Sequence, residues 1–509
     1  MKGKMKDKKE KAWERLLHGV RTLGIVCNQW GDSGKGKFVD WFADWAEIIA
    51  RGTGGANAGH TISLGEKEHI FHLIPSGILY DPDGKINIIG TGTAIDPSVV
   101  CHELGLLDSK GLTYKHLLIS RDAKLVLPQH LVMDRARESN AVGKIGTTGR
   151  GIGPVYEDYY ARIGLTMNDL LNLDEFVRKL RRNLENKVRF LQTIDPEIIK
   201  GIMHHPHLGN GRFWDPKTIF NIDAIVEAYL VHTAKLEPMI HETDGFLRRL
   251  VGKKNILLEG AQGNLLSIDF GTYPFVTSSD CSIQGLTKGV GLKLTDVDLT
   301  LGIVKAPYMT RVGEGSFPTE LGGMKSAEWC AAKGVNRKSE LKQFGRLDVN
   351  DPDDYLQGIA IRMAGDEYGA TTGRPRRTGW LDLPLLRYSL QHNGPNTIIT
   401  KPDVLDQCDL ISICTEYVYT GDDYRLGQQT LKKGQRLRIA VMDSHVMQHC
   451  QPVYTDFGGW KTPIQDIRSS DELPVEFRKI WKFIEFETGM QTRVISVGKD
   501  RDQTIVVEG

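Results

Sequence analysis

The run Gln29-Trp30-Gly31-Asp32-Ser33-Gly34-Lys35-Gly36-Lys37 constrains this chain more than any other stretch. It follows an apolar segment, Leu23 to Cys27, that reads as a buried strand. It precedes Phe38-Val39-Asp40-Trp41-Phe42-Ala43, which reads as the start of a helix. A strand, a glycine-rich turn and a helix together present backbone N–H groups and a helix N-terminus to phosphate. Gly31 and Gly36-Lys37 keep the spacing of a P-loop, but Phe38 stands where that pattern needs a magnesium-binding hydroxyl. Asp32 lies inside the loop instead, so a carboxylate among phosphates must hold metal or handle a proton.

The rest of the chain supports an α/β reading. Short apolar runs at Ile86–Ile89, Leu117–Ile119, Ile256–Glu259, Leu301–Lys305 and Thr397–Thr400 alternate with helical patterns. Phe176, Leu180, Leu184, Val188 and Leu191 recur at helical spacing between charged residues, and Ile222 to Leu250 reads as a further helical region. The expected architecture is a large, mostly parallel central sheet with flanking helices, P-loop NTPase-like, with helical and loop subdomains. Residues 1–20 read as a lysine-rich N-terminal extension, 21–509 as one α/β domain, and the polar segment 322–364 as a surface insertion with some helix. A net charge of +1 carries no nucleic-acid or membrane signature. No apolar run approaches the ~18 residues of a membrane span, and the N-terminus lacks the apolar core of a secretory signal. Seven scattered cysteines without zinc spacing suit a reducing compartment, so the expected location is cytoplasmic.

Four further segments carry chemistry. Gly54-Gly55-Ala56-Asn57-Ala58-Gly59-His60-Thr61 allows close backbone approach to a ligand and offers His60 as an acid or electrostatic stabiliser. Gly146-Thr147-Thr148-Gly149-Arg150-Gly151-Ile152-Gly153-Pro154 combines N–H groups, hydroxyls and an arginine, a set suited to an anion. Thr371-Thr372-Gly373-Arg374-Pro375-Arg376-Arg377 places three arginines in four positions, which reads as a carboxylate or phosphate clamp. Thr400-Lys401-Pro402-Asp403 follows a strand and has the form of a guanine-reading element, where the aspartate accepts from N1–H and the exocyclic amine.

Taken in order, these motifs resemble the adenylosuccinate synthetase family. His72-Leu73-Ile74-Pro75-Ser76-Gly77-Ile78-Leu79 and the segments Glu259–Ser279, Thr310–Leu321 and Gly369–Asp382 extend the resemblance over roughly residues 23 to 509. It implies GTP-dependent joining of IMP and L-aspartate, with magnesium, through 6-phosphoryl-IMP. Asp32, His60, Lys35 and Gln262 would be catalytic, and Asp32 and Gly59 would ligate the metal. GTP would meet Gly31, Ser33, Gly34, Lys35, Gly36, Lys37, Thr61 and Arg376, with Lys401, Asp403, Ser496 and Gly498 around the guanine. IMP would meet Asp32, Asn57, Ala58, Gly59, His60, Thr148, Gln262, Thr277 and Arg374. Arg162 would reach the IMP of a neighbouring subunit, which implies a homodimer. Aspartate would meet Val312, Thr371, Thr372, Arg374 and Arg376. Ser33 stands in place of a common glutamate, and Pro402 in place of an aliphatic residue. Two alternatives stay open: a branch of the family that acts on dGMP, which the presence of Asp32 disfavours, and a non-catalytic GTP-binding protein that keeps the fold.

Overall fold

The computed structural model describes residues 14–64, 67–80, 84–139, 145–195, 197–198, 220–369 and 373–507, with the side chains of 61–64 and 67–69 also outside the description. Its centre is a ten-stranded sheet. In chain order the strands are β1 (Thr22–Cys27), β2 (Ile48–Arg51), β3 (Ile86–Ile89), β4 (Leu117–Ser120), β5 (Ile240–His241), β6 (Ile256–Glu259), β7 (Leu299–Lys305), β8 (Asn396–Thr400), β9 (Gln491–Ser496) and β10 (Thr504–Val506). Their spatial order is β10-β9-β8-β7-β1-β6-β2-β3-β4-β5. Every neighbouring pair is parallel except β9 with β10, at one edge.

The parallel arrangement explains the composition of the strands. Helices on both faces bury the central strands β1 and β6 at every position, so these are apolar nearly throughout rather than alternating. The registers Ile25↔Glu259, Cys27↔Ile303 and Arg51↔Glu259 bring the carboxyl ends of β1, β2, β6 and β7 to one edge of the sheet. That edge is where ligands bind in open α/β sheets. Helix α1 (Lys35–Phe42) begins there, directly after the glycine loop.

Three expectations need correction. The helical region 222–250 divides into two helices, Ile222–Leu236 and Asp244–Leu250, and the sheet edge strand β5 lies between them. In α2 (Leu173–Leu191) the expected stripe holds except at Val188, which is 45% exposed, while Asn183 and Lys187 are buried because both hydrogen-bond to the buried Asp158. The segment 322–364 is more than a surface excursion. It forms α3 (Gly323–Ala331), α4 (Arg337–Phe344) and α5 (Asp354–Ala364), and it buries Tyr355, Ile359, Ile361, Glu340 and Arg362. Its charged composition conceals a buried ion pair that single-residue polarity does not reveal. Residues 1–13 lie outside the described residues, and Leu17 packs against the core under β1, so the extension's inner end is part of the domain.

Candidate active site

The glycine loop is held from below by Gln29. Its side-chain amide donates to the Lys305 carbonyl and its oxygen accepts from the Lys305 N–H, both at 2.9 Å, which ties the end of β1 to the end of β7. Trp30 is fully buried, donates to Thr272 Oγ1 at 3.2 Å and lies under the Arg311 guanidinium. With both ends fixed, the loop turns through three left-handed positions, Gly31 (φ 84°), Asp32 (φ 47°) and Gly34 (φ 82°). Left-handed backbone at a non-glycine residue is costly, and such outliers gather at functional sites. Asp32 is thereby pushed out of the loop, with its side chain 39% exposed and its Oδ2 accepting from Arg376 Nε. Burial of the surroundings opposes its charge, but Arg376 and Lys305 outweigh that and hold the carboxyl below the usual carboxylate range.

The two lysines of the loop part company. Lys35 donates to the Gln262 carbonyl. Lys37, which the P-loop spacing placed over phosphate, points the other way. Its Nζ donates to Ser496 Oγ at 2.7 Å and to the carbonyls of Gly498 and Gln503 at 2.8 and 3.1 Å. It therefore joins the loop to the pocket expected for the guanine. Ser33 Oγ is buried without a hydrogen-bond partner among the described residues, and the Ser33 carbonyl accepts from Thr400 Oγ1 at 3.1 Å.

Across the cleft, Asn57 is a hub. Its Nδ2 donates to Thr277 Oγ1 at 3.2 Å, and its Oδ1 accepts from Gln262 Nε2 and from the Gly55 N–H, both at 3.1 Å. The structure thus brings Asn57 to Gln262 and Thr277, each more than two hundred residues away from it in the sequence. Gln262 has φ 49°, and a side chain at Gly54 would strike its Oε1 at 2.8 Å.

His60 is 5% exposed, and its Nδ1 meets Glu259 Oε1 and, at 3.1 Å, Ser76 Oγ. Ser76 donates to Glu259 from both its hydroxyl (2.6 Å) and its N–H (2.8 Å). Burial pushes His60 below its ordinary value, and Glu259 resists that. Burial also works against Glu259, but His60, Arg51 and Ser76 overcome it and pull the carboxyl down to about 2. Glu259 ends β6, and its orienting role went unrecognised in the sequence. The only signal for it was an acid closing an apolar strand just before Gly260. Ala58 is 8% exposed and its carbonyl accepts from His72 Nδ1 at 2.6 Å, and Gly59 follows it at the exposed rim.

The arginine segment divides by function. Strand 377–380 pairs antiparallel with strand 308–311, matching Arg377 to Arg311, so Val312 and Arg376 leave the ladder at the same end. Arg376 reaches Asp32, and Arg374 is exposed on the loop. Arg377 does not join the expected clamp. It is 8% exposed, holds Glu320 through Nε at 2.9 Å and through Nη2, and donates to the Gly315 carbonyl at 2.6 Å. Thr371 and Thr372 lie outside the described residues, as does the side chain of Thr61.

A buried charge network, unread in the sequence, underlies this cleft. Glu367 Oε2 takes Lys305 Nζ at 2.8 Å, and its Oε1 takes Lys401 Nζ and the Tyr308 hydroxyl, both at 2.7 Å. Burial pushes Lys305 down to about 8 against the pull of Glu367. Burial resists ionisation of Glu367 in turn, yet Lys305 and Lys401 bring it to about 2. Lys401 has φ 59°, which turns the chain so that Asp403 faces the pocket beside Gln465 (3.3 Å). Burial pushes Asp403 above the usual carboxylate value, and a guanine's N–H donors would supply what lost hydration removes.

Thr148, Arg150 and Arg162 remain to be placed. Thr148 is exposed between Gly146 and Gly149, both with positive φ, and Gly146 approaches Gly313 and Glu314. Arg150, expected to face an anion, is 7% exposed and lies near Asp96 instead. Arg162 is exposed with φ 61° just beyond helix Ile152–Tyr160.

Magnesium fits Asp32. The carboxyl is ionised and partly exposed, and Arg376 takes one oxygen, Oδ2. Among the described residues no three His, Cys, Asp or Glu side chains gather into a cage. One carboxylate completed by phosphate and water oxygens is a usual form of magnesium site. No described helix is long and apolar enough to cross a membrane.

The family model described as adenylosuccinate synthetase matches residues 24–505. An adenylosuccinate synthetase of Heliobacterium modesticaldum is 41% identical over 96% of this chain and 99% of its own length. That of Syntrophobacter fumaroxidans is 39% identical over 96% and 99%. A fully ligated adenylosuccinate synthetase from Plasmodium falciparum superposes with a TM-score of 0.76 at 30% identity, covering 96% of this chain and all of that one.

Proposed function

The chain belongs to the adenylosuccinate synthetase family, and we propose from this membership and the site geometry how its residues divide the reaction. The reaction is GTP-dependent ligation of IMP and L-aspartate to adenylosuccinate, with release of GDP and phosphate, in AMP biosynthesis. The chain is a ligase that uses GTP as co-substrate and Mg2+ as metal.

Asp32 carries the proposal. It is a carboxylate held ionised between the glycine loop and the arginine segment, poised to accept the N1 proton of IMP. As long as Arg376 holds it, its proton affinity stays low. An anionic substrate that draws Arg376 away would raise that affinity when it is needed. The IMP O6 so exposed attacks the γ-phosphorus of GTP, the bond to the bridging oxygen breaks, and 6-phosphoryl-IMP and GDP form. The amine of aspartate then displaces phosphate at C6. Lys35 and the loop N–H groups stabilise the transferring group, which is most of what phosphoryl transfer needs. Asp32 and the Gly59 carbonyl would hold magnesium, which when bound neutralises phosphate charge.

His60, backed by Glu259, stabilises charge on the leaving phosphate. The arriving phosphates raise its proton affinity, and Glu259 supports the resulting imidazolium. Asn57, Gln262 and Thr277 form the floor of the IMP site, with Ala58, Gly59 and Thr148 beside it. Arg374, Arg376, Thr371, Thr372 and Val312 take aspartate. Lys401 and Asp403 read guanine, with Ser496 and Gly498 held in place by Lys37. Arg162 enters the neighbouring site of a homodimer. A cytoplasmic location agrees with seven unpaired cysteines.

The test is phosphate release dependent on aspartate, with IMP, GTP and magnesium. Asp32→Asn should lower turnover by roughly a thousandfold or more while nucleotide binding stays measurable, as expected for loss of a general base acting with the metal. Wild-type turnover in that variant would remove Asp32 as the base. Product formed with dGMP but not IMP would instead favour the dGMP-directed reading.

A further inference from the structure

A second buried charge pair reaches the arginine loop from the polar segment 322–364. Arg362 on α5 meets Glu340 on α4 through Nη2–Oε1 at 2.6 Å and Nε–Oε2 at 3.2 Å, with side chains 1% and 0% exposed. Trp329 Nε1 donates to the same carboxylate at 2.7 Å. Two further bonds leave the helices for the loop. Arg362 Nη1 donates to the carbonyl of Arg376 at 2.9 Å, and the Tyr368 hydroxyl donates to Glu340 Oε2 at 2.5 Å.

Tyr368 and Arg376 are the two stems of the loop. Tyr368 bridges Pro375, the Arg376 N–H donates to the Glu367 carbonyl at 2.9 Å, and the Gly369 N–H donates to the Arg374 carbonyl at 2.8 Å. One buried pair therefore grips both stems at the level where Arg376 leaves for Asp32. As a source of stability such a pair is weak, because desolvation cancels much of the attraction. It does supply directional bonds at two fixed points, which an apolar core cannot.

We propose that Glu340 and Arg362 are positioning residues for aspartate binding, setting the stems of the loop that carries Arg374 and Arg376. This rests on the assignment of those two arginines to aspartate above. Neither residue touches substrate. Their effect passes through the Arg376 carbonyl and the Tyr368 hydroxyl.

The test compares Glu340→Gln and Tyr368→Phe with Lys338→Ala, an exposed neighbour on α4, in the full chain. Thermal unfolding, kcat and the KM of each substrate are measured. Glu340→Gln should raise the aspartate KM about tenfold, and Tyr368→Phe several-fold, the size of one charge-assisted hydrogen bond. The IMP KM should rise clearly less than the aspartate KM, because the Asn57 hub is built on other elements and only Arg374 of the IMP contacts lies on this loop, and Lys338→Ala should match wild type. An unchanged aspartate KM in a variant that unfolds at the wild-type temperature would overturn the proposal. So would an equal rise in the IMP KM. If Glu340→Gln does not fold, Tyr368→Phe decides alone, since it removes one hydroxyl. A wild-type chain without aspartate-dependent turnover would sink the functional reading itself, which separates the two failures.

Discussion

Replacing Glu259 by glutamine isolates the partner of His60. The carboxyl lies at 0% exposure with its pKa drawn from 4.5 to about 2, although burial acts in the opposite direction. That displacement marks attraction in excess of the cost of burial. It is the surplus that His60, Arg51 and Ser76 supply beyond the cost of burial, and His60 supplies the largest part. If the Glu259 carboxylate holds an imidazolium against the transferring phosphate, losing that charge-assisted hydrogen bond costs about 2 kcal/mol of transition-state stabilisation, or about thirtyfold in kcat. Glutamine preserves the shape and can still accept from Ser76, so substrate KM values should change little. Continuous assay of adenylosuccinate formation gives both constants. A kcat within about twofold of wild type, in a variant with unchanged thermal unfolding, would refute the claim that the carboxylate acts through His60. The same depressed pKa has a consequence for stability. Because the folded carboxyl ionises more readily than the unfolded one, its contribution is complete above pH ~4.5 and is lost as pH falls toward about 2.

Lys37→Met should raise the GTP KM about tenfold while leaving the IMP and aspartate KM values unchanged, since among the described residues Lys37 hydrogen-bonds Ser496, Gly498 and Gln503, around the proposed guanine site; equal effects on all three substrates would argue for general damage. Asp382 is buried beneath Tyr417, and burial pushes its carboxyl up to about 7. The folded state therefore holds a proton that the unfolded state releases, and stability falls as pH rises from about 4 to 7. Asp382→Asn should flatten thermal stability over that window, and parallel pH profiles for the two proteins would contradict this. Mixing Arg162→Ala with Asp32→Asn chains should restore about a quarter of wild-type activity, because half the dimers are hybrids and each hybrid has one intact shared site; no recovery after subunit exchange would show that Arg162 serves its own site.

The sequence determined what depends on neighbours along the chain. Strands buried on both faces have a continuous apolar signature, which is why β1, β6, β7 and β8 were legible. The glycine loop was legible because its backbone must turn through left-handed conformations at Gly31 and Gly34, which glycine permits. Asp32, inside that loop, was marked as functional by being an acid where phosphates belong. Val188 was misread because periodicity records apolar character and cannot foresee that Asn183 and Lys187 have a buried aspartate to satisfy.

Tertiary structure alone decided which charges meet. Glu259 lies 199 residues from His60, and Glu367 lies 62 from Lys305, so no local pattern could pair them. The same holds for the direction of Lys37, the withdrawal of Arg377 from the clamp to Glu320, and the pair hidden in 322–364. A side chain's polarity is fixed by its type, whereas its role depends on which donors and acceptors the folded sheet brings within about 3 Å, where hydrogen bonds form. The chain order of residues therefore marks where phosphate and purine can bind, and the carboxyl edge of the sheet decides which carboxylate faces which base.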